Sequence, residues 1–197
     1  MISNIAAYVT RREGKKFLKL TREVDDTKIN SSMLQSGETL SLYLHIPFCR
    51  KLCPFCCFNR YLFQENKARR YFIDLHKELD MYIERGFSFT DFYFGGGTPT
   101  ILMDELLLLI DHLKKSFSVK NISVETTPNE MTDKNIDLLK SAGVSRLSLG
   151  VQSFDDRALD AMGRKLYTGE EAKEKIRLVT GQFETVNIDL IFNFPFQ

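Results

Sequence analysis

The sequence predicts an α/β fold, a parallel sheet with helices packed on it. Short apolar runs rich in strand formers alternate with longer stretches whose apolar residues recur at helical spacing. The residues with evident chemical character fall at the carboxyl ends of the predicted strands. All four cysteines sit in one short loop after the first strand. Strand–helix alternation of this kind is met by an open doubly wound sheet or by a (β/α) barrel. Both bind ligands on the rim formed by the carboxyl ends of their strands.

Residues 1–40 are polar and irregular, with charged clusters and the loop-like stretch NSSMLQSGE, and are expected to form an N-terminal extension to a core at 41–197. SLYLHI, residues 41–46, predicts a short buried strand. From about residue 66 to 85, Tyr71, Phe72, Leu75, Leu79, Tyr82 and Ile83 recur at helical spacing, and Gly86 ends the helix. FTDFYF, residues 89–94, predicts a second strand running into Gly95-Gly96-Gly97-Thr98-Pro99-Thr100. A helix is predicted over Asp104 to Phe117, a third strand over NISVET at 121–126, and a helix over Thr132 to Ala142 closed by Gly143. VSRLSLGVQ, residues 144–152, is a fourth strand, followed by helical stretches at about 155–162 and 169–180. TVNIDLIFNF, residues 185–194, is a fifth. No helix follows to cover it, so the sheet is expected to be truncated after its fifth strand, leaving an open edge.

A chain of 197 residues can bury one sizeable core. Its formal net charge of +1 gives no support to nucleic-acid binding. No apolar run approaches the roughly 18 residues of a membrane span. MISNIAAYVTRREGKKF lacks the apolar core and cleavage site of a signal peptide, so a cytoplasmic location is the default expectation.

Cys49, Cys53, Cys56 and Cys57 fall within nine consecutive residues. A disulfide framework spreads its cysteines to staple distant loops, whereas such a cluster points to metal or redox chemistry. Cys49-x-x-x-Cys53-x-x-Cys56 supplies three thiolates. Most iron–sulfur clusters use four; three leave one iron open, as catalytic metal sites do to admit a substrate. Zinc, the alternative, wants four ligands in paired spacing. The adjacent Cys57 cannot readily join Cys56 on one ion, and His45 sits inside the strand, where a packed histidine is expected.

The triple glycine would let a ligand approach the backbone closely, and exposed amides there could bind a carboxylate. No Gly-Lys-Ser/Thr follows, which excludes a phosphate-binding loop of that type. Glu125, Gln152, Arg164 and Asp189 lie near strand ends, where they would supply acceptors for ribose hydroxyls and a cation for a carboxylate. Lys114-Lys115 and Glu170-Glu171 read as solvated helix faces, and His76 and His112 lie on predicted helices away from the rim.

These residues resemble the radical S-adenosylmethionine superfamily and, within it, the oxygen-independent coproporphyrinogen III oxidase family with its heme-chaperone relatives. YLHIPFCRKLCPFCCFN, FYFGGGTPT, the strand carrying Glu125, LSLGVQSFDDRALDAMGR and NIDLIFNFP match in family order from about residue 41 to 195. The resemblance implies a partial (β/α) barrel and a 4Fe-4S cluster on Cys49, Cys53 and Cys56. The open iron would chelate S-adenosylmethionine, whose reductive cleavage yields a 5′-deoxyadenosyl radical. It implies S-adenosylmethionine contacts from Tyr43, Phe55, Gly96, Gly97, Thr98, Glu125, Gln152, Arg164 and Asp189, some of them to a second molecule of the cofactor. It also implies an electron donor such as flavodoxin or ferredoxin. One departure is Phe58, which stands where the decarboxylating members commonly carry a further cysteine, with Cys57 one residue earlier. CPFCCFN is closer to the chaperone-like and divergent members, and residues 41–197 are expected to be a core without the family's C-terminal substrate domain.

The leading functional expectation is a radical oxidoreductase acting on a tetrapyrrole, in its plainest form the oxidative decarboxylation of coproporphyrinogen III. The alternatives are a heme-binding chaperone that keeps the cluster, a related heme-degrading or methyl-transferring enzyme, and a zinc-stabilised α/β domain.

Overall fold

A five-stranded parallel sheet in strict chain order orients everything else in the molecule. The computed structural model describes residues 40–194, so all but the last residue of the expected N-terminal extension lies outside them. The sheet strands are β1 (Leu40–Ile46), β4 (Phe89–Gly96), β5 (Asn121–Thr126), β6 (Arg146–Gln152) and β7 (Thr185–Leu190). The helices are α1 (Glu65–Glu84), α2 (Met103–Ser116), α3 (Asp133–Ser141), α4 (Asp156–Ala161) and α5 (Gly169–Val179). Two short strands not expected from the sequence, β2 (Phe48–Cys49) and β3 (Tyr61–Leu62), pair in parallel beside the sheet.

The strand order β1-β4-β5-β6-β7 never reverses. A doubly wound sheet needs a reversal, at its switch point. Sequential order with crossovers of one hand keeps the helices on one side, which is the winding of a (β/α) barrel. The pleat then sorts each strand. Leu44 and Ile46, Phe92 and Phe94, Ile122 and Val124, and Leu147 and Leu149 are buried toward the helices. Alternate positions put Tyr43, Tyr93, Ser123, Glu125, Asn187 and Asp189 on the opposite, concave face. The first strand is therefore buried on one face only, contrary to the fully buried strand expected from SLYLHI: Tyr43 is 54% exposed. The fifth strand ends at Leu190, before the predicted 194, and Asn193 takes a positive φ.

Helix α1 buries Ala68, Phe72 and Leu79 along one stripe, with Leu75 and Tyr82 partly buried beside them. It closes in a Schellman turn, with Gly86 N–H donating to Ile83 O and Phe87 N–H to Tyr82 O. Its C-terminal end then joins an aromatic group of Tyr82, Phe87, Phe89, Phe92 and Phe117 at the amino end of β4. α5 starts in a capping box, Thr168 with Glu171. No helix among the described residues is long and apolar enough to cross a membrane.

Phe72 is fully buried between α1 and the sheet. Phe72→Ala is expected to lower unfolding free energy by about 3–5 kcal/mol, read from urea denaturation with the m-value unchanged.

Candidate cofactor site

The loop from Arg50 to Arg60 leaves β1 through β2 and is closed at its base by a two-rung ladder. Tyr61 N–H donates to Pro47 O at 2.6 Å and Phe63 N–H to Cys49 O at 2.8 Å. The loop holds three of the four cysteines, and Cys49 opens it from β2. His45 reaches up from β1 to Asn59. Its Nε2 lies 2.9 Å from Asn59 O, which accepts only, so this nitrogen carries the proton. Nδ1 then accepts from Tyr43 Oη at 3.0 Å. Both ring nitrogens are spoken for, so His45 ties down the loop and is neither a core histidine nor an available metal ligand.

The glycine turn after β4 sits directly under the loop. Gly97 N–H donates to Ile46 O and Thr98 N–H to Phe48 O, each at 2.8 Å. A Cβ on Gly97 would lie 2.6 Å from Phe48 O and 2.9 Å from Cys49 Sγ, so only glycine lets the cysteine strand lie this close. Gly96, at φ +119, donates its N–H to Glu125 Oε2 at 3.0 Å, while Tyr93 Oη donates to Glu125 Oε1 at 2.8 Å. This corrects the expected chemistry of the turn. The amides of Gly96, Gly97 and Thr98 are consumed inside the protein and do not wait for a carboxylate. Gly97 O takes no donor among the described residues, so the turn offers an acceptor, suited to an ammonium group.

Arg164 comes from the opposite side of the rim. α4 ends in a Schellman turn, Gly163 N–H to Asp160 O and Arg164 N–H to Leu159 O, which aims the chain back at the loop. Gly163, at φ +72, packs so tightly on Pro54 that a Cβ would come within 2.7 Å of its ring. The Arg164 guanidinium donates to Tyr167 Oη at 2.7 Å and Gly150 O at 2.6 Å, and its third nitrogen lies 3.7 Å from Cys53 Sγ. Tyr167 Oη in turn donates to Val151 O at 2.7 Å. Gln152 ends β6 at φ +72 beside a register shift, and its carbonyl accepts from Ile191 N–H. Asp189, on β7, accepts from Asn187 Nδ2 at 2.7 Å.

Cys49, Cys53 and Cys56 line one cavity of about 470 Å³, together with Phe55, Gly96, Gly97, Thr98, Glu125, Gln152, Arg164 and Asp189. Tyr43 does not line it; its ring lies below, stacked on Tyr93 with centroids 5.9 Å apart. Sequence reasoning passed over Arg60, Tyr167, Arg50 and Glu130, all of which line the cavity. Arg50 Nε donates to the buried Glu130 at 2.7 Å, strapping the loop to the turn after β5. Arg60 alone carried a signal, as a cation four residues beyond Cys56. Burial pushes the Cys49 thiol above its usual range. No three His, Cys, Asp or Glu side chains among the described residues converge on a point fit for one metal ion. A 4Fe-4S cluster gives each thiolate its own iron, and the three thiols spread around one cavity suit that larger group. His76 and His112 lie on α1 and α2, away from this rim, with their Nδ1 atoms 2.8 Å apart.

Fold and site together define part of a parallel (β/α) barrel with a three-cysteine loop on its ligand-binding rim. A family model of the radical SAM superfamily matches residues 43–197, and the chain belongs to that superfamily. Its cofactors are a 4Fe-4S cluster and S-adenosylmethionine. The chain is 35% identical over 169 residues to the heme chaperone HemW of Bacillus subtilis, covering 80% of this chain and 43% of that protein. It is 32% identical over 173 residues to the oxygen-independent coproporphyrinogen III oxidase of Paracoccus denitrificans, covering 83% and 38%. The solved structure of coproporphyrinogen III oxidase, HemN, from Escherichia coli superposes with a TM-score of 0.72 at 32% identity, over 81% of this chain and 38% of that one. The chain thus spans about two-fifths of the length of these relatives.

Gly97→Ala forces Cβ against Phe48 O and Cys49 Sγ. It is expected to destabilise the protein by about 1–3 kcal/mol, seen as a lower thermal midpoint, because backbone must move to admit the methyl group.

Proposed function

We propose that this chain is the S-adenosylmethionine-cleaving core of a radical enzyme acting on a tetrapyrrole, related in chemistry to the coproporphyrinogen III oxidases. One observation carries the reading: three cysteine thiols, a glycine turn with a spare carbonyl acceptor, and Glu125, Gln152, Arg164 and Asp189 face one cavity. When bound, the cluster would supply the electron for reductive cleavage of S-adenosylmethionine.

Within this proposal each residue has a defined task. Cys49, Cys53 and Cys56 would hold the cluster, whose remaining iron would be open to S-adenosylmethionine. Gly97 O accepts from the amino group. Arg164, fixed by Tyr167 and Gly150, sets positive charge beside Cys53 and the carboxylate. Gln152 and Asp189 accept from ribose hydroxyls. Glu125 acts from below, holding Gly96 N–H and so the shape of the turn. Phe55 shields one side of the cavity from water. Tyr43 steadies the loop through His45. An electron donor such as flavodoxin or ferredoxin would supply the electron.

A second reading is favoured by the loop itself. Cys57 and Phe58 are both exposed, and Phe58 occupies the position of the extra cysteine of the decarboxylating relatives. In that reading the full-length protein binds heme and delivers it, keeping the cluster without converting a porphyrinogen.

Anaerobic reconstitution with iron and sulfide is expected to give a reduced 4Fe-4S electron paramagnetic resonance signal that changes on adding S-adenosylmethionine and is lost in Cys53→Ala. Stoichiometric zinc with no cluster would defeat the reading. Coproporphyrinogen III conversion by the full-length protein is expected for the enzyme; tight heme binding without conversion selects the chaperone.

A further inference from the structure

Among the described residues, a single buried side-chain nitrogen or oxygen lacks a hydrogen-bond partner: Arg60 Nε. A charged donor left unpaired out of reach of water is costly, and native proteins seldom keep one without a use. Its surroundings argue against chance. Asn59 is pinned by His45 and Tyr61 by Pro47, so the backbone on both sides of Arg60 is fixed. From there the guanidinium folds back under the cysteine loop. One terminal nitrogen donates to Cys53 O and the other lies 3.4 Å from Phe58 O. Arg60 lines the same cavity as the three thiols.

We propose that Arg60 is the positioning residue of the cluster, donating its Nε–H to a cluster sulfur and easing uptake of the electron with its charge. The inference rests on the cluster reading above. A loop clamp alone would need only the two terminal nitrogens, already used on Cys53 and Phe58. Arg164 is placed differently, its guanidinium held by Tyr167 and Gly150 and directed at Cys53 Sγ. One-electron reduction by a low-potential donor protein adds a negative charge to an already anionic thiolate-bound group. A buried cation and a hydrogen bond to sulfur both favour that reduced form, and so raise the potential.

The test is a redox titration of the reconstituted protein followed by electron paramagnetic resonance, with iron and sulfide counted per chain. R60M keeps a long side chain without charge or donor; R60K keeps the charge and loses Nε–H. The expected result is a midpoint lower in R60M by about 59 mV, a tenfold change in the ratio of reduced to oxidised cluster, with R60K in between. Cluster loss in R60M with retention in R60K supports the assignment as well. Wild-type midpoints in both variants overturn it. So does cluster loss from both with the fold intact by circular dichroism, which leaves Arg60 a loop clamp. Failure of the wild-type protein to assemble a cluster defeats the underlying reading instead, and is seen before any variant is compared.

Discussion

The site depends on how closely the strand carrying Cys49 can approach the turn that ends β4. Backbone meets backbone there, with Ile46 and Phe48 carbonyls accepting from Gly97 and Thr98, and no room for a side chain between them. That contact fixes where β1 releases the chain. It thereby sets the height of the cysteine loop above the sheet and the mouth of the cavity. The ladder of β2 with β3 closes the loop, and His45 ties its far end to β1.

From that contact the polar residues organise outward in two directions. Below the turn, Tyr93 and Glu125 hold Gly96 from the neighbouring strands, so the parallel register of β4 with β5 becomes part of the site. Across the mouth, α4 brings Arg164 to Cys53, and Gly163 lets it rest on Pro54 of the loop. A cation near the thiolates is thus set by a helix end, and a second comes from within the loop itself. Two guanidiniums flanking three thiols suit a group with net negative charge.

The concave face of the sheet is polar while its convex face is apolar. Tyr43, Ser123, Ser148, Asn187 and Asp189 project to one side, and the helices cover Phe92, Phe94, Val124 and Leu147 on the other. Chemistry on the concave side is separated from the packing that stabilises the fold. Residues at the rim can therefore be arranged for ligand binding without disturbing the core.

Much of this was legible in the residues alone. Hydrophobic periodicity located the five sheet strands and five helices, because each element must bury one face and so writes its period into the chain. The cysteine spacing, the triple glycine and the polar residues at the strand ends named most of the cavity lining. Periodicity alone left barrel and doubly wound windings open; the family motifs implied the barrel, and the strand order shows it, because winding depends on which strands pair across long separations in sequence. Only the tertiary structure shows the spent amides of the glycine turn, whose partners Ile46, Phe48 and Glu125 lie about 30 or more residues away in the chain. Periodicity was silent on β2 and β3, two residues each, which exist because the loop ends are held together. The roles of Arg60, Tyr167 and His45 are likewise matters of tertiary structure. A polar side chain declares what it can bond in the sequence, and what it does bond only where the fold brings its partner.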